Sequence, residues 1–254
     1  MGRMTEPKSI SKKIISILDD NDNLSTTEII SAKNPKKLAG LKAIVTSGPT
    51  NEAIDPVRYI TNHSSGRQGH AIAKALFEQG AETILVSGPT QLPDPKDIDV
   101  KHVKTAVEML SACEECLPAD IVVCAAAVAD WRISNLKKNK IKKNGTLPNL
   151  SLIENPDILK NISQLSKNRP QIVIGFAAET TNIITNAKTK LSQKGCDWIV
   201  ANDVSSKFDV FGSKNNSVHI ISKEGVETWP TLTKTAIGEK LSLKIANFLE
   251  KHAK

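Results

Sequence analysis

A chain of 254 residues has room for one sizeable domain with a full hydrophobic core, or for one domain and a short appendage. With 39% hydrophobic and 24% charged residues, disorder is confined to local segments, and the formal charge of +7 suits anionic ligands without specifying a fold. The longest strongly apolar run, IVVCAAAVA at 121–129, falls far short of the ~20 residues of a membrane helix, and Lys12, Lys13, Asp19 and Asp20 fence in the only stretch that could resemble a signal peptide. No membrane association is expected, and the chain reads as cytoplasmic.

Residues 1–40 are rich in Ser, Lys and Asn and read as a polar tail or linker, partly disordered, with one short amphipathic segment near Ile14 to Leu18. From Leu41 the texture changes. Runs at 42–46 (KAIVT), 82–86 (ETILV), 120–126 (DIVVCAA), 171–177 (QIVIGFA) and 197–201 (DWIVA) are short and rich in Ile and Val, which predicts buried parallel strands. Helical periodicity fills the intervals. The first helix is expected from about Arg67 to Gln79, with Ile72, Ala75 and Leu76 on one face and Gly80 as its stop. A capping box, Thr105 to Glu108, opens the second. The third should have Asn155 as N-cap, Pro156 at its first position and Leu159, Ile162 and Leu165 facing inward. A fourth spans about Asn182 to Lys194 and ends at Gly195, NSVHIIS and ETWP predict a hairpin around Lys223, Glu224 and Gly225, and Lys234 to Glu250 a closing helix. Strand and helix alternate throughout. The expected class is α/β: a Rossmann-like, doubly wound, mostly parallel sheet with a C-terminal β-hairpin and closing helix, its ligand crevice at the carboxyl ends of the strands.

Two patterns carry little chemistry. Cys113 and Cys116 form a C-x-x-C without a second pair or matching histidines, and Cys113 continues the apolar stripe of Ala106, Met109 and Leu110, so a buried structural cysteine is expected rather than a metal ligand. The tetrapeptide SGPT follows a strand at 47–50 and again at 87–90, which predicts two turns facing the same crevice.

The stretch TNHSSGRQG at 61–69 places small polar residues and glycines before a helix, where unpaired N–H groups and the positive dipole end favour an anion. A dinucleotide fold would set its glycine turn within a few residues of the first strand, yet Gly66 comes 20 residues after Thr46, and no acidic residue ends the second strand. An NAD(P)-dependent Rossmann-like oxidoreductase is therefore the secondary reading, and glycines that merely permit tight helix–sheet packing are the plainer one. Downstream, CAAAVAD leads to Asp130 and then to five lysines within 137–143, a run able to close over phosphates, to sit solvated, or to serve a basic polyanion-binding module. Aromatic interleaving is absent there, so no nucleic-acid partner is expected. Lys190 and Lys194 lie four apart on one helix face.

Taken in order, SGPTNEAIDPVRYITNHSSGRQG, AAVADW with KIKK, ENPDIL, GFAAET, KLSQK and ANDV resemble the phosphopantothenoylcysteine synthetase (phosphopantothenate-cysteine ligase) family of the bacterial type, from Leu41 to the C-terminus. The resemblance implies a synthetase domain over 41–254 that joins 4′-phosphopantothenate to L-cysteine in coenzyme A biosynthesis, with CTP cleaved to CMP and diphosphate through an acyl-cytidylate. It implies Asn62 and Lys140 as catalytic, Asn62 handling the acyl-cytidylate and Lys140 its formation. The CTP-binding set would be Asp130, Lys140, Asn155, Pro156, Asp157, Ile158, Phe176, Lys190 and Lys194. Ser64, Ser65, Gly66, Ala126 and Ala127 would meet phosphate or the intermediate, and His63 would position or pack. Mg2+ or Mn2+ would accompany CTP, with Asp130 a candidate metal ligand, and the chain would act as a homodimer. Bacterial members are usually fused behind a flavin-dependent decarboxylase; this chain is expected to lack that domain and flavin, leaving phosphopantothenoylcysteine decarboxylase as a partner or fusion. Arg67 stands where a lysine is common, which keeps charge but changes donor geometry. Asn135 to Gly145 would then be a flexible lid over a hydrolysable intermediate.

Overall fold

The structure, a computed structural model, describes residues 36–143, 148–203, 215–216 and 218–252. The packed unit begins at Lys37, and the expected tail segment near Ile14 to Leu18 lies outside the described residues. Leu38 is fully buried in the core, so packing reaches back past the change of texture at Leu41.

The strands are β1 (Lys42–Ser47), β2 (Asn51–Ala53), β3 (Tyr59–Thr61), β4 (Glu82–Ser87), β5 (Asp99–His102), β6 (Ile121–Cys124), β7 (Trp131–Ile133), β8 (Leu152–Glu154), β9 (Ile172–Glu179), β10 (Trp198–Asp203), β11 (Asn215–Asn216), β12 (Val218–Ser222), β13 (Gly225–Thr228) and β14 (Leu232–Thr233). The helices are α1 (Arg67–Glu78), α2 (Ala106–Glu115), α3 (Ile158–Ser163), α4 (Ile183–Lys194) and α5 (Lys234–His252). The main sheet runs β13-β12-β10-β9-β6-β1-β4-β5, parallel from β10 to β5 and closed by the antiparallel β12–β13 hairpin. Counted along the chain, its parallel strands stand in the order 3-2-1-4-5-6, a doubly wound sheet whose switch point lies between β1 and β6.

Alternation along each strand divides the core. Ala43, Val45, Ile121, Val123 and Ile174 face α1 and α5, while Ile44, Val122, Val173 and Ile199 face α2, α3 and α4. Trp229, 1% exposed, seals the first layer beyond β13, and burial of such a side chain contributes about 1.5–3 kcal/mol.

Several expectations need correction. Helix α3 starts at Ile158 with Asp157 as N-cap, whose side chain accepts the Lys160 N–H; Asn155 and Pro156 precede the helix because the Asn155 amide is committed elsewhere. At α2 the Thr105 hydroxyl accepts the Glu108 N–H as expected, but Glu108 accepts from the Lys104 N–H instead of closing the box on Thr105. The two SGPT turns pack on each other: the Gly88 N–H donates to Ser47 O at 2.9 Å, and a Cβ on Gly88 would fall 1.7 Å from Pro49 O. Strand β5, charged and half exposed at the sheet edge, carries too little apolar signal to be read in advance.

Candidate active site

A cavity of about 730 Å³ opens at the carboxyl ends of β1, β6, β9 and β10, across the switch point. One wall is residues 62–69. Gly66 caps α1 with φ 73°, a left-handed conformation that suits glycine and, having no side chain, leaves the positive end of the helix dipole facing the cavity. Gly69 lets α1 approach β1: a Cβ there would fall 2.5 Å from the Ser47 side chain. The loop is fixed from below, where Ser47 Oγ donates to Gly66 O at 2.8 Å and His70 Nδ1 lies 2.9 Å from Ser47 Oγ and 3.1 Å from Gly66 O. Burial holds the His70 ring below its usual pKa and favours its neutral form. The glycine pair therefore serves both the left-handed turn into α1 and the close packing of α1 on β1.

The floor is the segment after β6. Ala126 and Ala129 N–H groups donate to the Thr46 and Thr50 hydroxyls at 3.2 and 3.0 Å, and the Ala127 N–H donates to Gly48 O at 2.8 Å. Asn62 Nδ2 donates to Val128 O at 2.9 Å, which brings the loop to this floor. Asn155 Nδ2 donates to Ala129 O at 2.8 Å, its N–H donates to Asp130 O, and its Oδ1 accepts from Arg132, so the approach to α3 is bound to the same segment.

Opposite stand two lysines of α4. Lys190 Nζ donates to Phe176 O at 2.8 Å, and burial, with Lys194 adding to it, pulls its pKa down. Lys194 pairs with Asp157, the residue that caps α3. Cys124, also on the lining, has its thiol pushed up to about 12 by burial and is inert as a nucleophile. Cys113, Cys116 and Cys196 are buried and free, in keeping with the structural reading of the C-x-x-C.

Of the residues singled out in the sequence, Asn62, Ser64, Ser65, Gly66, Ala126, Ala127, Asp130, Asn155, Pro156, Asp157, Ile158, Phe176, Lys190 and Lys194 all line this one cavity. Lys140 does not. It is exposed on the lysine loop, beside Ile141, whose N–H donates to Asp55 Oδ2 and whose carbonyl accepts from Arg58 Nη2, both at 3.1 Å. Asp55 is completely buried, and the Arg58 guanidinium beside it holds the carboxyl well below the usual carboxylate range. Gly145, at the end of the expected lid, lies outside the described residues, as do 144–147.

Residues 38–249 match the family model for the DNA/pantothenate metabolism flavoprotein C-terminal domain. The chain belongs to this family. Coenzyme A biosynthesis bifunctional protein CoaBC of Vibrio cholerae is 44% identical over 207 residues, 80% of this chain and 51% of its own length. The protein of the same name from Haemophilus influenzae is 40% identical over 225 residues, 88% of this chain and 52% of its own length. The crystal structure of the C-terminal domain of a CoaBC protein superposes with a TM-score of 0.71 at 38% identity, covering 85% of this chain and 99% of that one. The chain thus spans about half the length of the curated relatives it matches.

For a DNA/pantothenate metabolism flavoprotein C-terminal domain, the cavity also holds residues that sequence reasoning passed over. Gln68 and Lys234 line it from α1 and α5, and Asn202 from β10. Lys234 opens a helix 166 positions after Gln68, whose side chain donates to its carbonyl, a proximity without any local signature. Asn202 sat within the quoted ANDV but drew no role. Among the described residues no group of three His, Cys, Asp or Glu side chains could hold a metal ion by itself. Asp130, exposed on the rim, fits a cation that arrives with phosphates and takes only one or two protein carboxylates.

Proposed function

We propose that this chain joins 4′-phosphopantothenate to L-cysteine, cleaving CTP to CMP and diphosphate through an acyl-cytidylate, as a step of coenzyme A biosynthesis. The observation that carries the reading is the convergence of the loop 62–69, the Ala126–Ala127 floor, the Asn155–Ile158 approach and the Lys190–Lys194 pair on one cavity at the switch point. Membership of the family and the CoaBC relatives support it.

A carboxylate is a poor electrophile, so the reaction needs a mixed anhydride with CMP before an amine can attack. The N-terminal end of α1, with its positive dipole, and Ser64 and Ser65 beside it suit phosphate oxygens. Lys190 and Lys194 add positive charge on the facing wall. Asn62 uses one amide hydrogen on Val128 O, which orients the group, and the second can donate to the carboxyl or anhydride oxygen. Lys140, adjacent to the anchored Ile141, would neutralise nucleotide charge as the loop approaches. Mg2+ or Mn2+ would be held by Asp130 and the phosphates and would supply charge neutralisation on the triphosphate.

The functional unit in this reading is a cytoplasmic homodimer. Hairpins β2–β3 and β7–β8 adjoin and expose Val57, Tyr59, Trp131, Leu152 and Ile153, an apolar surface beside the site that a second copy would cover. Among the described residues no helix is long and apolar enough to cross a membrane. A phosphopantothenoylcysteine decarboxylase, fused or separate, is the partner that the product calls for.

Incubation with CTP, Mg2+, phosphopantothenate and cysteine tests the proposal. Diphosphate release that depends on phosphopantothenate, followed by cysteine-dependent product, is the expected result. Absence of release, with NADPH bound instead, would favour the oxidoreductase.

A further inference from the structure

Glu52, in the middle of β2, is 2% exposed and takes no part in the chemistry above. Removing a carboxylate from water is unfavourable unless a partner meets it. Here the partner is the start of α2: Glu52 Oε1 accepts the buried Ala106 N–H at 2.8 Å, across 54 positions of chain. The positive end of the helix dipole favours the negative charge at that place. Thr105 already supplies α2 with a local cap through the Glu108 N–H, so the distant acceptor is not needed to start the helix.

What the contact does is hold β2. Next to it the Asn51 N–H donates to Lys104 O at 2.7 Å, so two bonds clamp the strand to the chain entering α2. Just before them, Thr50 joins the cavity floor, its hydroxyl accepting the Ala129 N–H at 3.0 Å and its own N–H donating to Ala127 O at 3.4 Å. Across the hairpin Glu52 pairs with Ile60 and Asn51 with Thr61, and Thr61 Oγ1 donates to Thr50 O at 2.8 Å. Asn62 is the next residue. We infer that Glu52 is a positioning residue that acts through β2 and β3 to set where Asn62 stands against Val128 O, a role that rests on the reading of Asn62 as the group handling the acyl-cytidylate.

Rapid quenching with CTP, Mg2+, phosphopantothenate and cysteine resolves the two chemical steps, and hydrogen exchange of residues 59–65 without substrates reports the clamp independently of activity. Glu52→Ala should slow conversion of acyl-cytidylate to product about tenfold or more, the scale of a small misplacement of a reacting group, while the burst of diphosphate and KM for CTP change little. Exchange at 59–65 should rise in the same variant. In Glu52→Gln the amide oxygen still accepts the Ala106 N–H, so most of both properties should return. Glu52→Asp keeps the charge but is one methylene short; it should show the same imbalance, and it carries the test if Glu52→Ala does not fold. Ile245→Ala, in the core layer on the other side of the sheet from α2, should melt lower without altering the balance of the steps. Equal slowing of both steps by Glu52→Ala, or the same imbalance in Ile245→Ala, would reduce Glu52 to general stability and overturn the inference. If wild type releases no diphosphate but exchange rises in Glu52→Ala alone, the ligase reading falls and the clamp stands. If the wild-type reaction is normal and Glu52→Ala matches it in exchange and in both steps, the clamp falls and the ligase reading stands.

Discussion

The Asp55 carboxylate and the Ile141 amide, 86 positions apart in the chain, meet at 3.1 Å. Asp55 also accepts from the Val57 and Arg58 N–H groups and from the Arg58 guanidinium, which in turn donates to Ile141 O. One buried carboxylate thereby fixes both the tip of the β2–β3 hairpin and the middle of the lysine loop. Asp55→Asn turns an N–H toward donors that need an acceptor, so trypsin should cut at Lys137 to Lys143 faster than in wild type while the sheet stays intact. The sign of the pH effect follows from the depressed carboxyl: the anchor is present above the unfolded value and is lost as pH falls through the folded one. Wild-type cleavage, measured with an acid-tolerant protease, should stay slow down to about pH 4. Equal cleavage of the two chains at neutral pH would remove this role from Asp55.

The two chemical steps should separate by substitution. Lys140 is exposed and outside the cavity lining, so Lys140→Gln should change stability by no more than about 0.5 kcal/mol while stopping diphosphate release. Asn62→Asp loses the donor to Val128 O and sets a negative charge at the activated carboxyl, so acyl-cytidylate should accumulate. Rapid quenching of the reaction distinguishes them. Normal product formation by either variant would withdraw its assignment.

Asp157 performs two tasks with two oxygens, capping α3 through the Lys160 N–H at 3.0 Å and pairing with Lys194. Asparagine caps as well as aspartate, so Asp157→Asn should cost less than about 1 kcal/mol, the scale of a partly exposed ion pair. Asp157→Ala should cost about 1 kcal/mol more through the lost cap. In both, KM for CTP should rise, because both release Lys194 from its partner. Urea unfolding beside steady-state kinetics reads the two effects apart, and equal stability of the variants would mean that the cap contributes nothing.

Local patterns made much of this molecule legible. Ile- and Val-rich runs marked the buried parallel strands, and Gly80 and Gly195 marked helix ends, because each is decided within a few residues. Competition among hydrogen-bond partners was not legible. Asn155 looks like an N-cap until Ala129 O claims its amide, whereupon Asp157 takes the cap. Nor did sequence reveal what the fold alone brings together: Lys234 against Arg67, Ile141 against Asp55, or Lys140 set apart from the lysines of α4. Asp55 and Arg58 of DPVR drew no role of their own in the sequence, although the Asp55 side chain is completely buried.

His70 couples the loop at the cavity to acidity. Its Nδ1 lies within hydrogen-bond distance of Ser47 Oγ and Gly66 O, and a neutral ring with the proton on Nδ1 can donate to both. Burial is the main cause of its lowered pKa, with His102 adding to it and Asp94 opposing. A group whose folded value lies below the unfolded one contributes stability that is complete above the unfolded value, near 6.5, and is lost as pH falls toward the folded value. Protonation leaves the Nδ1 donor in place, so the loss reflects burial of charge rather than a broken bond. Asparagine can present its amide near the Nδ1 position without titrating. Wild type should therefore lose urea resistance between about pH 7 and pH 5 while His70→Asn loses less over the same interval. Parallel pH profiles for the two chains would show that His70 is not the group responsible.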